Sequence, residues 1–512
     1  MRRIAVAVLA LLALPSSAAA APVLVLGHDG RAVPVNDPYL HGPALTPAPA
    51  LAPAMAPSAA RARSAARPGS RPARARPRAH VALARGRMHA RRAPQRPERT
   101  VTSELARLQR TGQITPAAYA LYRGAFTQAL ATERRLRGTR RAELTAITET
   151  LHGIAASGQL TASRLPALFT TLARNVQWWT HGPLLAPDQR VEFTGSQLVW
   201  EYYPGQGIQL QVLGTFGRAN GLFGSGPGSY PALQQLMAEM IPLAAQRGGR
   251  LAWEYYFNFD GGRPPWTSAM SQATGLQALS HAYLATEDAG YLSVADRALA
   301  LFGAGPPVGV GVAAPNGTRF LQYTFAPGVS IINAFLQTLI GLDTYAQVSG
   351  DPRAQQLFAA GNAEAMAEVP RFDTGAWSLY QPGIEDTLSY HQLVTGFLSQ
   401  LCTLTSAPVY CTTAQHFTAD ETTPPVLTQL TGRGRVKRTT QLRFRLSKVS
   451  HVGITVTQGA RTVLLTSASF GYGVHSFTVP VISRPGIYSV LLTATDLAGN
   501  TSRITGRLQI TR

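Results

Sequence analysis

The sequence predicts a multidomain protein: a mainly α-helical centre with some β, an (α/α) toroid-like domain, followed by an all-β, immunoglobulin-like sandwich. Three observations carry this. At 512 residues the chain exceeds one compact domain. From Pro231 to Cys402, apolar residues recur at helical spacing in segments that alternate with Gly-, Pro- and Tyr-rich loops. After Thr422-Thr423-Pro424-Pro425 the period changes to short alternating strands. The boundaries that follow are 1–21 for a leader, 22–99 for a basic linker, 100–420 for the helical domain and 421–512 for the β module.

The leader has three parts. Arg2-Arg3 is a charged start, Ile4 to Leu14 an apolar run, and Ala18-Ala19-Ala20 a small-residue cleavage site. The run is shorter than the roughly 20 residues that cross a bilayer. A secretory signal peptide is expected, with the mature protein secreted or held at the envelope and no transmembrane segment. Residues 22–99 are dominated by Ala, Pro and Arg, and Glu98 is the only acid between Arg61 and Arg99. Such a composition buries too little apolar surface to offset the entropy of ordering, so disorder is expected. Two readings stay open: an arm lying along an anionic cell-wall polymer or acidic polysaccharide, or a solvated spacer. Nucleic acid is not an expected partner of an exported chain. Because much of the net charge of +21 falls here, the folded part is expected to be far less basic.

Three amphipathic helices are expected over 100–180, through Leu105 to Leu130, Arg134 to Leu151 and Ser163 to Trp178. Val191-Glu192-Phe193 and Leu198 to Tyr203 suit strands, and Ile208 to Leu213 alternates as a half-buried strand does. Arg218 then falls in a loop, as a candidate carboxylate binder. Ala232 to Gln246 is a helix, and Leu251 to Phe259 an aromatic strand ending in the turn Asp260-Gly261-Gly262. Helices follow at 268–283, 291–302, 328–348, 353–368 and 388–403. They are roughly paired, and pairs repeated around a ring form a toroid whose inner helices line a cleft. Two Cys in so long a chain exclude a disulfide-rich scaffold and a Cys-based zinc site. Cys402 and Cys411 flank a short loop, either as a disulfide of an exported protein or as two buried thiols. In the last ninety residues about seven short strands are expected, and Ala494 to Ser502 resembles the final hairpin of bacterial Ig-like and fibronectin-type modules. Such modules are usually spacers or weak binders.

The centre also carries a resemblance. Ser268-Ala269-Met270-Ser271-Gln272, Thr286 to Leu292, Ile331 to Leu342, Gly375-Ala376-Trp377-Ser378-Leu379-Tyr380 and Tyr390-His391 follow in an order and spacing similar to the C-terminal domain of the D-glucuronyl C5-epimerase family. It covers 266–402. The resemblance implies inversion at carbon 5 of glucuronate in a heparan-type polymer, without a cofactor. It implies functional tyrosines at Tyr323, Tyr380 and Tyr390, with Tyr323 and Tyr390 as the proton-transfer pair. His391, Arg218, Gln322 and Trp377 are expected around the substrate. The sequence departs from the family in two places. Gln322 stands where an acid usually precedes the tyrosine, and Gln does not take a proton. After Tyr380, Gln381-Pro382-Gly383-Ile384 replaces a stretch with Asp, Arg and His, so Arg218, Arg319 or Arg371 is left to meet the substrate carboxylate.

That chemistry needs a base for a hydrogen alpha to a carboxylate, a group that neutralises the carboxylate, and an acid on the other face. A tyrosine serves in either proton role if cations lower its pKa. The alternatives are a uronate polysaccharide lyase, which shares the first step, and a non-catalytic glycan-binding or envelope protein on the same scaffold. No His-x-x-x-His set, acidic metal cluster or Gly-x-Ser-x-Gly elbow is present, so metal and serine-hydrolase chemistry have no support in the sequence.

Overall fold

The computed structural model describes residues 23–36 and 99–512. The expected signal peptide, and the expected basic linker from 37 to 98, lie outside the described residues. The start of that linker differs from expectation. Val23–Leu26 (β1) and Ala32–Val35 (β2) are strands, and β1 pairs antiparallel with β2 and parallel with Arg190–Phe193 (β3). The run Val23-Leu24-Val25-Leu26 has its own strand pattern, with Val23 and Leu26 fully covered. A composition averaged over 22–99 conceals it.

Four helices, not three, fill the next stretch: Val101–Arg110 (α1), Pro116–Arg135 (α2), Gly138–Ala156 (α3) and Leu165–His181 (α4). The extra break is chemical. Thr115 accepts from the Ala118 amide and Pro116 takes the first helical position, where its missing N–H is no loss. Trp200–Tyr203 (β4) and Gly207–Leu210 (β5) complete a five-stranded sheet in the order β2-β1-β3-β4-β5. Alternation gives this sheet two unlike faces. Phe193 and Tyr202 meet Trp178 and Trp179 of α4 edge to face. Arg190, Glu192, Glu201, Tyr203 and Gln209 project from the other side and are also buried. The strand expected to Leu213 stops at Leu210, and Val212–Gly224 is a helix (α5), so Arg218 lies on a helix rather than in a loop. Tyr230–Met240 (α6) also ends earlier than expected, in a turn of 3-10 helix at Ile241–Leu243 that holds Pro242. The expected aromatic strand is reduced to a hairpin, Ala245–Arg247 (β6) with Arg250–Ala252 (β7).

Ala269–Thr286 (α7), Gly290–Leu299 (α8), a small hairpin of Gly311–Ala314 (β8) and Gly317–Phe320 (β9), Ile332–Ser349 (α9) and Pro352–Glu368 (α10) come next. Leu379–Gln381 (β10), Ile384–Glu385 (β11), Leu388–Thr405 (α11) and Pro408–Asp420 (α12) close the helical part. The helices pack as pairs, α5 with α6, α7 with α8, α9 with α10 and α11 with α12, while α5, α7, α9 and α11 touch in succession. The expected pairing of helices is thus present, as an inner and an outer arc of four pairs. The inner helices α7 and α9 are buried along most of their length. They approach closely where Gly341 faces the Ala273 carbonyl, and a Cβ there would sit 2.3 Å from that oxygen. Cys402 and Cys411 are joined in a disulfide that ties α11 to α12. The polar face of the sheet meets the arc at both ends: Arg218 of α5 pairs with Glu192 of β3 at 2.8 Å, and Tyr390 of α11 is electrostatically coupled to Arg190 and Glu201.

The C-terminal region is β-rich. Its strands are Leu427–Gln429 (β12), Arg433–Arg435 (β13), Thr440–Leu446 (β14), Ser450–Gln458 (β15), Arg461–Phe470 (β16), Gly473–Val479 (β17), Gly486–Asp496 (β18) and Thr501–Thr511 (β19). They form two sheets, β12-β14-β17 and β13-β19-β18-β15-β16, over a shared core that includes Leu442, Phe444, Ile454 and Leu492. Residues 100–512 hold 31 Lys or Arg against 23 acids, a net charge of +8, so the folded part is far less basic than the whole chain, as expected, but its charge is uneven. Residues 424–512 hold twelve Lys or Arg against one acid, more than half of the chain's net +21. Among the described residues no helix is long and apolar enough to cross a membrane, and no cluster of three His, Cys, Asp or Glu is placed to hold a metal.

Candidate active site

Three segments bring the three predicted tyrosines together. Tyr323 lies between β9 and α9, in a stretch stitched to the start of α7: the Ala269 amide donates to the Leu321 carbonyl at 2.8 Å and the Thr324 amide to the Thr267 carbonyl at 3.1 Å. Tyr380 is the middle residue of β10. Tyr390 sits in the first turn of α11, which Thr387 caps. The rings of Tyr380 and Tyr390 meet edge to face at 5.2 Å, and Tyr380 hydrogen-bonds Tyr323 through the side chains. Gln322 bonds Tyr323 and also accepts from the Ser268 hydroxyl at 3.1 Å.

The environment is dry. Tyr323, Tyr380 and Tyr390 are 4%, 7% and 6% exposed. Burial pushes the Tyr380 phenol up to about 12 and raises Tyr323 and Tyr390 as well, with Tyr380 adding to both. The condition that cations lower a phenol is not met here: desolvation dominates, and Arg190 only partly offsets it at Tyr390. All three phenols hold their protons at neutral pH. Phe259, beside the turn Asp260-Gly261-Gly262, meets Tyr203 edge to face and Tyr323 at a tilt, so this hairpin packs against the cluster at Tyr323.

A carboxylate that the sequence did not single out acts on Tyr390 through its charge. Glu201 of β4 is fully buried, with the Arg190 guanidinium at 3.5 Å and Tyr203 adjacent. Neither oxygen receives a well-formed hydrogen bond. Burial pushes its carboxyl up to about 7 against the pull of Arg190. Its signal was present in Trp200-Glu201-Tyr202-Tyr203, where an acid interrupts an otherwise apolar and aromatic strand.

Other expected substrate contacts lie elsewhere. His391 is wholly buried. Its Nε2 bonds the Phe417 carbonyl at 2.9 Å, its Nδ1 meets the Ser378 hydroxyl at 2.8 Å, and its ring stacks on Trp377 at 3.8 Å. Trp377 is also fully covered and donates to the Asp386 carbonyl. Both residues position the hairpin rather than face a sugar. Ser378 in turn donates to Asp386 at 2.5 Å, whose carboxyl burial pushes up to about 7. Burial pushes His391 down to about 4. This chain of Asp386, Ser378 and His391 links the strand that bears Tyr380 to the helix that bears Tyr390. Arg218 points to Glu192, and Arg319 is held by Glu368 and Ser330. The guanidinium whose charge is felt at Tyr390 is that of Arg190.

Residues 247–419 match the family model for the D-glucuronyl C5-epimerase C-terminus. This part of the chain is similar to that family's C-terminal domain. A curated D-glucuronyl C5-epimerase from Caenorhabditis elegans is 31% identical over 131 residues, which is 23% of this chain and 21% of the relative. The chain therefore spans about a fifth of that relative's length. Two solved structures show slight likeness, each over 44% of this chain with a TM-score of 0.31. One is a GH76 α-mannanase from Bacteroides thetaiotaomicron, at 14% identity over 65% of its length, and the other an endo-β-1,4-glucanase from Acetobacter xylinum, at 12% over 72%. The matched segment of the C5-epimerase-like domain contains all three tyrosines, but Glu201 and Arg190 lie outside it.

Proposed function

We propose that the protein is an exported enzyme that inverts carbon 5 of glucuronate in an acidic polysaccharide. The observation that carries this reading is the meeting of Tyr323, Tyr380 and Tyr390, the last of which feels the charge of one buried Glu–Arg pair, Glu201 with Arg190. In the proposed step Tyr390 passes its phenolic proton to Glu201 and takes the hydrogen from carbon 5. The electron pair moves into the substrate carboxylate to form an enediolate. Tyr323 then returns a proton to the opposite face, and the cycle closes when the proton held on Glu201 is released and the Tyr323 phenolate regains one through Tyr380, so no net proton is gained or lost. Glu201 replaces the acid that Gln322 lacks, since a carboxyl near 7 both accepts and releases protons at neutral pH. Arg190 balances the added charge. Entry of a sugar requires the hairpin around Asp260 to move, because each phenol is under a tenth exposed.

A second reading, a glycan-binding protein without turnover, is favoured by that same burial and by Gln322. Incubation with a glucuronate polymer in deuterated water separates the two. Deuterium at carbon 5 with mixed stereochemistry supports the epimerase, an unsaturated product points to a lyase, and binding without either supports the second reading. For the C-terminal region we propose an immunoglobulin-like module. Its two-sheet order supports this, as does Tyr488 at the start of β18, whose hydroxyl donates to the Arg484 carbonyl at 2.9 Å.

A further inference from the structure

The C-terminal module carries charge that the proposed chemistry does not use. Its one acid, Asp496, is taken up by Lys448 at 2.7 Å, with both side chains 1% exposed. The rest of the module presents eleven cations and no acidic side chain. Four of them share one face. Arg433 and Arg435 on β13, and Arg503 and Arg507 on β19, are exposed on adjacent strands. Leu508 and Ile510 turn into the core, while Gln509 and Thr511 lie opposite Arg433 and Arg435, so all four guanidinium groups project from the outer face of the five-stranded sheet. An open groove of about 720 Å³ crosses the same face, lined by Thr455, Thr457, Ser489, Arg503, Thr505 and Arg507.

We propose that this face binds a chain of an acidic polysaccharide, at a site separate from the tyrosine cluster. Guanidinium groups in a row along a strand meet repeated carboxylate or sulfate groups, each with paired donors. Arg503 and Arg507 are about 13 Å apart along the strand, a spacing suited to successive anions of an extended polymer. Threonine and serine hydroxyls between them offer partners for sugar hydroxyls. Among the strand pairs, no Phe, Tyr or Trp projects from this face; Phe470 lies opposite Ser450 on the inner side. The stacking platform that single-stranded nucleic acid uses is therefore missing.

The test uses the full chain, so that the basic N-terminal segment is the same in every sample. Binding of an unsulfated glucuronate–glucosamine polymer is compared for the wild type, Arg503→Ser/Arg507→Ser, and the matched pair Arg443→Ser/Arg445→Ser on the opposite sheet. The first variant is expected to bind about tenfold more weakly at low salt, with a shallower salt dependence, and the second to change little. Neutral dextran is expected not to bind. Equal losses in the two variants, no loss in the first, or tighter binding of phosphatidylglycerol vesicles or duplex DNA than of the polymer overturns the proposal. Binding is read without turnover, so absence of exchange at carbon 5 would count against the proposed enzyme and leave this result standing.

Discussion

Tyr323, Tyr380 and Tyr390 come from three separate segments, and what they share is loss of water. Phenols so placed are proton donors in the resting state, and a base must be supplied from elsewhere. Glu201 fits that need. Glu201→Gln is expected to lower carbon-5 exchange by about 10²–10⁴-fold while polymer binding persists, and to remove the limb of the pH profile near 7. Tyr390→Phe and Tyr323→Phe are expected to lower exchange to a similar extent, measured by deuterium uptake with circular dichroism as the check on folding. Asp386 offers a test of burial itself. Its folded pKa lies above its ordinary value, so its contribution to stability is greatest below about 4 and is lost as pH rises to about 7. His391, pushed down, contributes in the opposite sense. The difference between wild type and Asp386→Asn isolates the carboxyl: thermal unfolding should show the wild type losing ground to the variant across that window. The phenols were legible in the sequence through their motifs. Glu201 was not, because its importance comes from its charge being felt at Tyr390, nearly two hundred residues away in the chain.

At the scale of elements, the β10–β11 hairpin is where the site meets the β module. Glu385 accepts from the Val449 amide at 2.7 Å and the Tyr472 amide at 2.6 Å. Four residues of turn and strand separate it from Tyr380, and Asp386 follows directly. Glu385→Ala leaves two amide groups without this acceptor, at a cost of about 1–3 kcal/mol each where water cannot reach. The expected outcome is a fall in exchange rate larger than the fall in polymer affinity, together with faster hydrogen exchange at β10. The central helices α7 to α11 were legible because each repeats apolar residues at helical spacing over many turns. Short elements were not. Ile208 to Leu213 alternates like a strand, yet Val212 begins α5. Val23-Leu24-Val25-Leu26 vanished into the composition of its neighbours. Pairing to a distant strand, here β3, is what makes such a fragment ordered, and a local pattern does not encode it.

At the scale of the molecule, the module at the end of the chain is more than a spacer. Lys448 donates to the carbonyl groups of Asp420 and Thr423, pairs with Asp496 and lies 5.1 Å from the centre of the Trp377 ring. It thus joins β-module, α12 and the tyrosine hairpin. Lys448→Met leaves Asp496 buried without its cation, a loss of about 3–5 kcal/mol by the usual cost of breaking a buried pair. Calorimetry should show the module melting earlier than the helical domain in the variant, against a more nearly joint transition in the wild type. The linker's share of the charge is readable in the sequence, but the basic face of the module is not, because Arg and Lys in the last ninety residues are spread singly among strands and gather only when β13 pairs with β19. The central claim is that three buried phenols and one carboxyl move a proton at carbon 5. The most direct measurement is deuterium uptake at that carbon from deuterated water, by the wild type and Glu201→Gln on the same glucuronate polymer. Uptake with inversion in the wild type, lost in the variant, is the result predicted; equal uptake in both, or none in the wild type despite polymer binding, would contradict it.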